Sequence, residues 1–477
     1  MKRPQSFHLP TLSALVVLAV LASILFALKH GDETKFLRSS LDSILQTGTL
    51  VVLTRNTSTT RYEDRDGPAG PEHDLAVSFA GFLGVEVQFV IKDQIEDLHR
   101  ALEDGEGHLI AAGITRTDQR SEIMRFGPDY QQVQQQVVCR RDKPMPLSPA
   151  DLVGRSVAAI SASSYIETLE QWREGFPDLK WQSTDDHSTE QILFSIHENT
   201  VDCTLADSNI VAVNRRYFPE LAIAFAAAEE QSLAWIIPRH ADKLAGKLTV
   251  WMTSLESSGE LIGIMDRYYG HVDIFDYVDN RAYLRRINER LPKFRPLFEQ
   301  EAQQYGFPWT LIAAQAYQES HWDPKAKSPT GVRGLMMLTK NTAKAMGVSN
   351  RLNPLQSIKG GVGYLANMLA QMPQTIYAED RVWFALAAYN VGRGHIMDAR
   401  ALALSLNKDP DAWHSLAEVL PLLSQKRYFR TLKYGYARGT EPVRYVNRIR
   451  NYEQILRHAL VSTGMNTQQT ADSQASL

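Results

Sequence analysis

Two hydrophobic rhythms divide this chain, and the place where one gives way to the other limits its fold more than any single motif. From about Leu41 to Tyr269 short apolar runs alternate with helical patterns. Thr49–Thr54 reads as a buried strand, Asp74–Phe82 as a helix, Val85–Ile91 as a second strand and Ile95–Leu102 as a second helix. Such alternation predicts parallel α/β units. Past Gly270 the strand pattern stops. Helices are predicted over Phe294–Tyr305, Pro308–Ser320, Leu338–Ala345, Ile358–Met372, Asp380–Tyr389, Pro410–Leu416 and Arg444–His458. Gly347 and Gly392 fall where helix ends favour a residue that tolerates positive φ. Between the halves, a polar helix with Arg281, Arg285, Arg286 and Arg290 is followed by Pro292 and Pro296, which makes it a short connector.

The helix opened by Pro308 carries the most informative charge. Proline at the first helical position loses no hydrogen bond. From there Ile312, Ala316 and Glu319 share one face at spacings of four and three. A carboxylate is thus carried on the apolar side of its helix. It also stands near the helix end, because Asp323-Pro324 follows and the negative pole of a helix disfavours an ionised carboxylate. Partial burial would act in the same direction, raising the pKa of Glu319 towards the range of a general acid at neutral pH; the plain alternative on this local pattern is a solvated glutamate on the last turn of its helix.

The motifs downstream add a resemblance. Gly331-Val-Arg-Gly-Leu-Met-Met-Leu-Thr339, then Ala387-Ala-Tyr-Asn-Val-Gly-Arg-Gly394, then Tyr445-Val446 with Ile449 follow Glu319 in that order. As a set they resemble the soluble-lytic-transglycosylase family, over about Phe294 to Arg457. The resemblance implies an all-α lysozyme-like domain with Glu319 as the single catalytic acid and base. It further implies Ser320 beside the acid, Gly334 and Met336 in a glycine turn lining the substrate groove, Tyr389 and Asn390 facing the acid, and Tyr445 as a late tyrosine. The implied substrate is the glycan strand of peptidoglycan, cut between MurNAc and GlcNAc to leave 1,6-anhydromuramoyl ends. One position departs: Met337 stands where the family usually has glutamine, which puts one polar sugar contact in doubt.

In the first half, Leu109-Ile-Ala-Ala-Gly-Ile-Thr-Arg-Thr-Asp-Gln-Arg120 and Met124-Arg-Phe-Gly-Pro-Asp-Tyr130 resemble the periplasmic amino-acid-binding proteins of ABC importers. That family has a two-lobed α/β fold with the ligand between the lobes. By this resemblance Gly113 and Thr115 would meet a ligand carboxylate and Arg120 would clamp it, a task suited to the planar guanidinium fork. Ser163, ahead of a helix over Tyr165–Trp172, would present hydroxyl and N–H groups to an anion. Asp207 would take an α-ammonium. On the residues alone, Arg120 could equally pair with Glu122 or Asp118, and Asp207 could cap the helix after it. The implied partner is an amino acid or a muropeptide. Fusion to a wall-cutting domain suggests sensing rather than transport, with closure on the ligand changing access to the Glu319 groove. The competing reading is a periplasmic solute-binding or sensor protein whose helical domain only binds the cell wall.

Lys2 and Arg3 precede an uncharged apolar run, Leu12 to Leu28, which reads as an export segment. Its length leaves a cleaved signal peptide and a short membrane anchor both open. At 477 residues, 44% of them hydrophobic, the chain has material for real cores. The expected organisation is a signal peptide or anchor over 1–30, a solute-binding-like domain over 31–270, a transglycosylase domain over 271–462 and a disordered polar tail over 463–477. The expected location is the periplasm. Resemblance to membrane-bound members suggests peripheral association with the inner face of the outer membrane, with inner-membrane anchoring as the alternative.

A formal net charge of −3 gives no electrostatic case for nucleic acid. Thirteen histidines form no HExxH or CxxC pattern, so neither a metal nor another cofactor is expected. Cys139 and Cys203 are too few for a disulfide framework; they are either one bridge or two buried thiols.

Overall fold

The computed structural model describes residues 40–475 apart from 65–66, 186, 273–276 and 329–330, with the side chains of the last helix described up to Val461. The export segment lies outside the described residues, and the expected tail, 463–477, lies beyond the described side chains. Among the described residues no helix is long and apolar enough to cross a membrane. The chain forms two compact units. Of the described residues, one comprises those up to Gln135 with Pro149–Ile192 and Ala226–Ser258; the other comprises Gln136–Ser148, Leu193–Phe225 and those from Gly259 onward.

The first unit is built on the expected parallel strands. Thr49–Thr54 pairs in parallel with Glu86–Ile91 on one side and with Leu109–Ile110 on the other. The long strand Leu221–Ile237 joins antiparallel at Ile236, opposite Ile110. A second parallel pair links Val157–Ile160 to Gln182–Thr184. This is the α/β fold of the periplasmic binding proteins. The first long helix, Pro71–Leu83, begins three residues before its expected start because Pro71 occupies its first turn. Gly70 makes that entry feasible. Its φ is 127°, and a Cβ there would lie 2.2 Å from the Thr60 carbonyl oxygen. The helix buries Leu75, Ala76, Phe79 and Ala80 on one face, and Phe79 meets the rings of Trp235 and Trp251.

The second unit contains the helical domain, and its centre is Trp309–Ser320. Nine of the twelve residues of this helix are buried, so it is enclosed on nearly every side rather than along a single stripe. Ala313, Ala314 and Ala316 keep its surface narrow, which lets Arg295–Tyr305 and Thr440–Ala475 pack against it. Pro354–Ala370 and Arg381–Val391 complete the surrounding shell. The helices Arg393–Ser405 and Lys426–Phe429 have no counterpart in the sequence reading. Gly392, with φ 94°, ends Arg381–Val391 and starts Arg393–Ser405 at once, so a residue read as a stop serves both roles. Cys139 and Cys203 are joined in a disulfide, the state that an oxidising environment favours.

Candidate active site

The helix carrying Glu319 ends sooner than Pro324 requires. His321 has φ 52° and Trp322 φ 56°, two consecutive left-handed residues that are not glycine. The turn is held from both sides. The Trp322 ring is buried and its Nε1–H donates to the Ala313 carbonyl at 2.9 Å. Arg290 donates to the His321 carbonyl at 2.9 Å, and Arg286 to the Tyr317 hydroxyl at 2.8 Å. Such strain persists only where surrounding contacts over-determine it. Here it directs the chain back over the end of the helix, beside the acid.

Glu319 is only partly exposed. Its Oε1 accepts a hydrogen bond from the Tyr445 hydroxyl at 2.6 Å. Burial raises its pKa to about 7, and the Tyr445 hydrogen bond partly opposes that rise. The expected upward shift is present, and its main cause is burial. Tyr445 in turn accepts from the Gln315 Nε2–H at 3.2 Å, which orders a donor chain from Gln315 through Tyr445 to the acid. Burial and the nearby Glu319 charge hold the phenols of Tyr445 and Tyr389 well above their ordinary range, so both remain hydrogen-bond donors.

The remaining helical-domain candidates divide by what their atoms do. The Ser320 hydroxyl lies 3.0 Å from the Ala316 carbonyl and 2.9 Å from that of Leu335, which ties the glycine turn to the acid's helix. The Met336 side chain is fully buried and packs on Gly361, where a Cβ would come within 2.5 Å of it. Its backbone accepts from the Tyr389 hydroxyl at 2.8 Å and donates to Ser357 Oγ at 3.1 Å. Met336 therefore contributes main chain, rather than side chain, to the region around the acid. Gly334 has φ 84°, and a Cβ there would sit 1.8 Å from the Arg351 carbonyl oxygen, so no other residue fits. Met337, at the departing position, adopts φ 44° and is partly exposed. Asn390 is exposed at the end of its helix, next to Tyr389. Sequence reading missed Gln315, Arg286, Arg290 and Ser357. Of these Gln315 was detectable, since it lies four residues before Glu319 and so on the same face.

In the first unit the residues expected to read a ligand are engaged internally. The Gly113 N–H donates to Glu72 Oε1 at 2.7 Å, and Glu72 also accepts from the Tyr130 hydroxyl and the Trp235 Nε1–H. Arg120 pairs neither with Glu122 nor with Asp118; its Nε–H meets Glu167 Oε1 at 2.6 Å, and its remaining donors reach the carbonyls of Ala162 and Thr115. Thr115 is buried and faces Leu233 across a β-bridge. Ser163 donates to the Ile160 carbonyl at 2.6 Å. Asp207, in the other unit, is buried at the start of helix Ser208–Asn214 and makes no side-chain cap bond. Neither Glu72 nor Glu167 was foreseen, because an acid that turns inward to meet a distant arginine or backbone N–H leaves no local signature. Among the described residues no group of three or more His, Cys, Asp or Glu side chains is placed to hold a metal ion.

A helical domain enclosing a glutamate whose pKa burial raises to about 7, set among phenols and joined to an α/β binding-protein fold, defines a class of wall-directed glycan-cleaving proteins with a solute-binding-like domain. Residues 296–411 match the family described as Transglycosylase SLT domain, and residues 50–271 match Bacterial extracellular solute-binding proteins, family 3. Over 446 residues the chain is 45% identical to Membrane-bound lytic murein transglycosylase F 2 of Alkalilimnicola ehrlichii, covering 93% of this chain and 98% of that protein. It is also 45% identical over 418 residues to Membrane-bound lytic murein transglycosylase F of Maricaulis maris, covering 87% and 92%. A solved amino acid ABC transporter substrate-binding protein of Streptococcus pneumoniae, bound to L-arginine, is 21% identical, with a TM-score of 0.44 over 50% of this chain and 100% of that one. The chain belongs to the membrane-bound lytic murein transglycosylase F family.

Proposed function

We propose that this protein cleaves the MurNAc–GlcNAc bond of peptidoglycan without water. The observation that carries this reading is the solitary acid. Burial and Tyr445 are the influences on Glu319, no second carboxylate among the described residues perturbs it, and its pKa lies at about 7. Glycosidases that use water or a covalent intermediate ordinarily pair two carboxyl groups. One suffices when the substrate supplies its own nucleophile. Protonated Glu319 gives its proton to the glycosidic oxygen as the bond to the muramoyl anomeric carbon breaks. The C6 hydroxyl of the same sugar then attacks that carbon, and the Glu319 carboxylate takes the hydroxyl proton. The acid is restored, and the product carries a 1,6-anhydro ring. Tyr445 holds one carboxyl oxygen throughout, leaving the other for the proton.

The reading extends to two further points. The first unit serves as the receptor for a small carboxylate-bearing solute, an amino acid or a peptide released from the wall. Its cleft of about 820 Å³, lined by Arg120 and Ser163, supports this. The site of action is the periplasm at the inner face of the outer membrane, where the family's membrane association and a wall substrate meet. Sacculi incubated with the wild type should release muropeptides 18 mass units lighter than their hydrolytic counterparts, a difference of about one water. Reducing muramoyl ends as the main product would instead make the protein a hydrolase. Wall binding with no cutting would leave the sensor reading in its place.

A further inference from the structure

The cleft in the first unit holds its own carboxylate. Arg120 is only 5% exposed, yet it lines this cleft together with Glu167. Its Nε–H donates to Glu167 Oε1 at 2.6 Å, while the Thr117 hydroxyl donates to Glu167 Oε2 at 2.9 Å. Both oxygens of Glu167 are therefore held, from helix Ser164–Gly175, by groups at the start of helix Asp118–Ile123. We propose that Glu167 is an internal competitor that occupies, at Arg120, the place of a ligand carboxylate, so that a solute enters this cleft by exchanging its carboxylate for that of Glu167. The proposal rests on the reading of the first unit as a solute receptor.

The physical basis is the geometry of the guanidinium. Its fork binds one carboxylate at a time along a given edge, and two carboxylates at one edge would repel. No covalent bond and no proton changes hands; one ion pair replaces another. Glu167 is suited to yield because it is 24% exposed on the cleft side, whereas Arg120 stays fixed by the carbonyls of Ala162 and Thr115. Glu72 is not exchangeable in this way, being 1% exposed with three donors upon it, so the Gly113 N–H is permanently occupied. The rest of the cleft wall carries Glu96, Glu170 and Glu174 against Arg173. A displaced Glu167 adds to that negative field, so the favoured solute combines a carboxylate with a cationic group.

Calorimetric titration of the full-length protein with L-lysine, and with L-lysinamide, which lacks the carboxylate, tests the exchange. Glu167→Gln keeps an oxygen acceptor near Arg120 and should bind L-lysine about tenfold more tightly than the wild type, as expected when a charge-assisted competitor is removed. Glu167→Ala should show the same gain, which guards against a folding defect in either variant. Glu170→Gln, which removes a charge from the same wall but not from Arg120, should not. L-Lysinamide should gain nothing from either Glu167 variant. Equal L-lysine affinity in the wild type and both Glu167 variants would overturn the competitor and leave the receptor reading intact. Failure of every variant, at unchanged thermal midpoint, to bind L-lysine, L-glutamate or a purified muropeptide digest would overturn the receptor reading and the exchange together.

Discussion

Glu72 and Glu319 are both inward-facing glutamates with raised pKa values, and burial is the main cause in each. They differ in what meets the carboxyl. Glu72 is almost wholly enclosed and accepts from a backbone N–H, a phenol and an indole. Glu319 keeps an edge in solvent and accepts from Tyr445. A carboxyl satisfied by several fixed donors is a structural joint, because any change of protonation disrupts the set. One left under-satisfied with an edge in solvent can exchange its proton with a substrate. The number of donors, more than the depth of burial, separates the two roles.

The widest test of that contrast is activity. Glu319→Gln should reduce the release of anhydro-muropeptides from sacculi by about a thousandfold or more, the usual scale for loss of a general acid. Glu72→Gln should leave the rate of wall cutting within a factor of about two, since its hydrogen-bond partners are Gly113, Tyr130 and Trp235 and none of the groups around Glu319. Comparable losses in both variants would erase the distinction.

Stability should separate them in the opposite sense. Glu72→Ala leaves the Gly113 N–H, the Tyr130 hydroxyl and the Trp235 Nε1–H without their acceptor, and is expected to cost about 3 kcal/mol or more, read as a lower denaturation midpoint. Glu319 behaves otherwise. Its folded-state pKa of about 7 lies above the ordinary 4.5, so the folded protein binds the proton more tightly than the unfolded chain. The associated stability is fully present below pH 4.5 and is lost as pH rises through about 7. Glu319→Gln should therefore match the wild type near pH 4 and exceed it near pH 8, by about 3 kcal/mol. A wild-type advantage at pH 8 in urea titrations would mean that the carboxylate is better solvated than its enclosure indicates.

Much of this contrast was half visible in the sequence. The position of Glu319 on an apolar face, close to the helix end, follows from residue spacing, and so does the alternation of the first half. Thr49–Thr54 was placed with its bounds correct because a run of β-branched and apolar residues between a helix end and a turn has few other outcomes. The helix Arg393–Ser405 escaped because Gly392 reads as a terminator, and only tertiary packing of Ile396, Ala399 and Leu402 turns it into a hinge between two helices. Long-range polar pairings were not legible from residue spacing. Glu167 lies 47 residues from Arg120, and Tyr445 lies 126 from Glu319. Family motifs pointed to the tyrosine, whereas nothing pointed to the competing glutamate.

The finest test removes a single donor from each carboxyl. The Tyr445 hydrogen bond lowers the pKa of Glu319 against the effect of burial. Tyr445→Phe deletes that hydroxyl while keeping the ring, so the pKa should climb above about 7 and the alkaline limb of the rate profile should move upward. The expected displacement is about one pH unit, the equivalent of roughly 1.4 kcal/mol, which is a reasonable value for one hydrogen bond to a charged group. The rate at neutral pH should fall by less than about tenfold, because the acid itself remains and is more fully protonated. Tyr130→Phe makes the matching deletion at Glu72. There the Gly113 and Trp235 donors remain, so the variant should lose some stability without shifting the rate profile. An alkaline limb that moves downward in Tyr445→Phe would show that the phenol stabilises the protonated acid instead of the carboxylate.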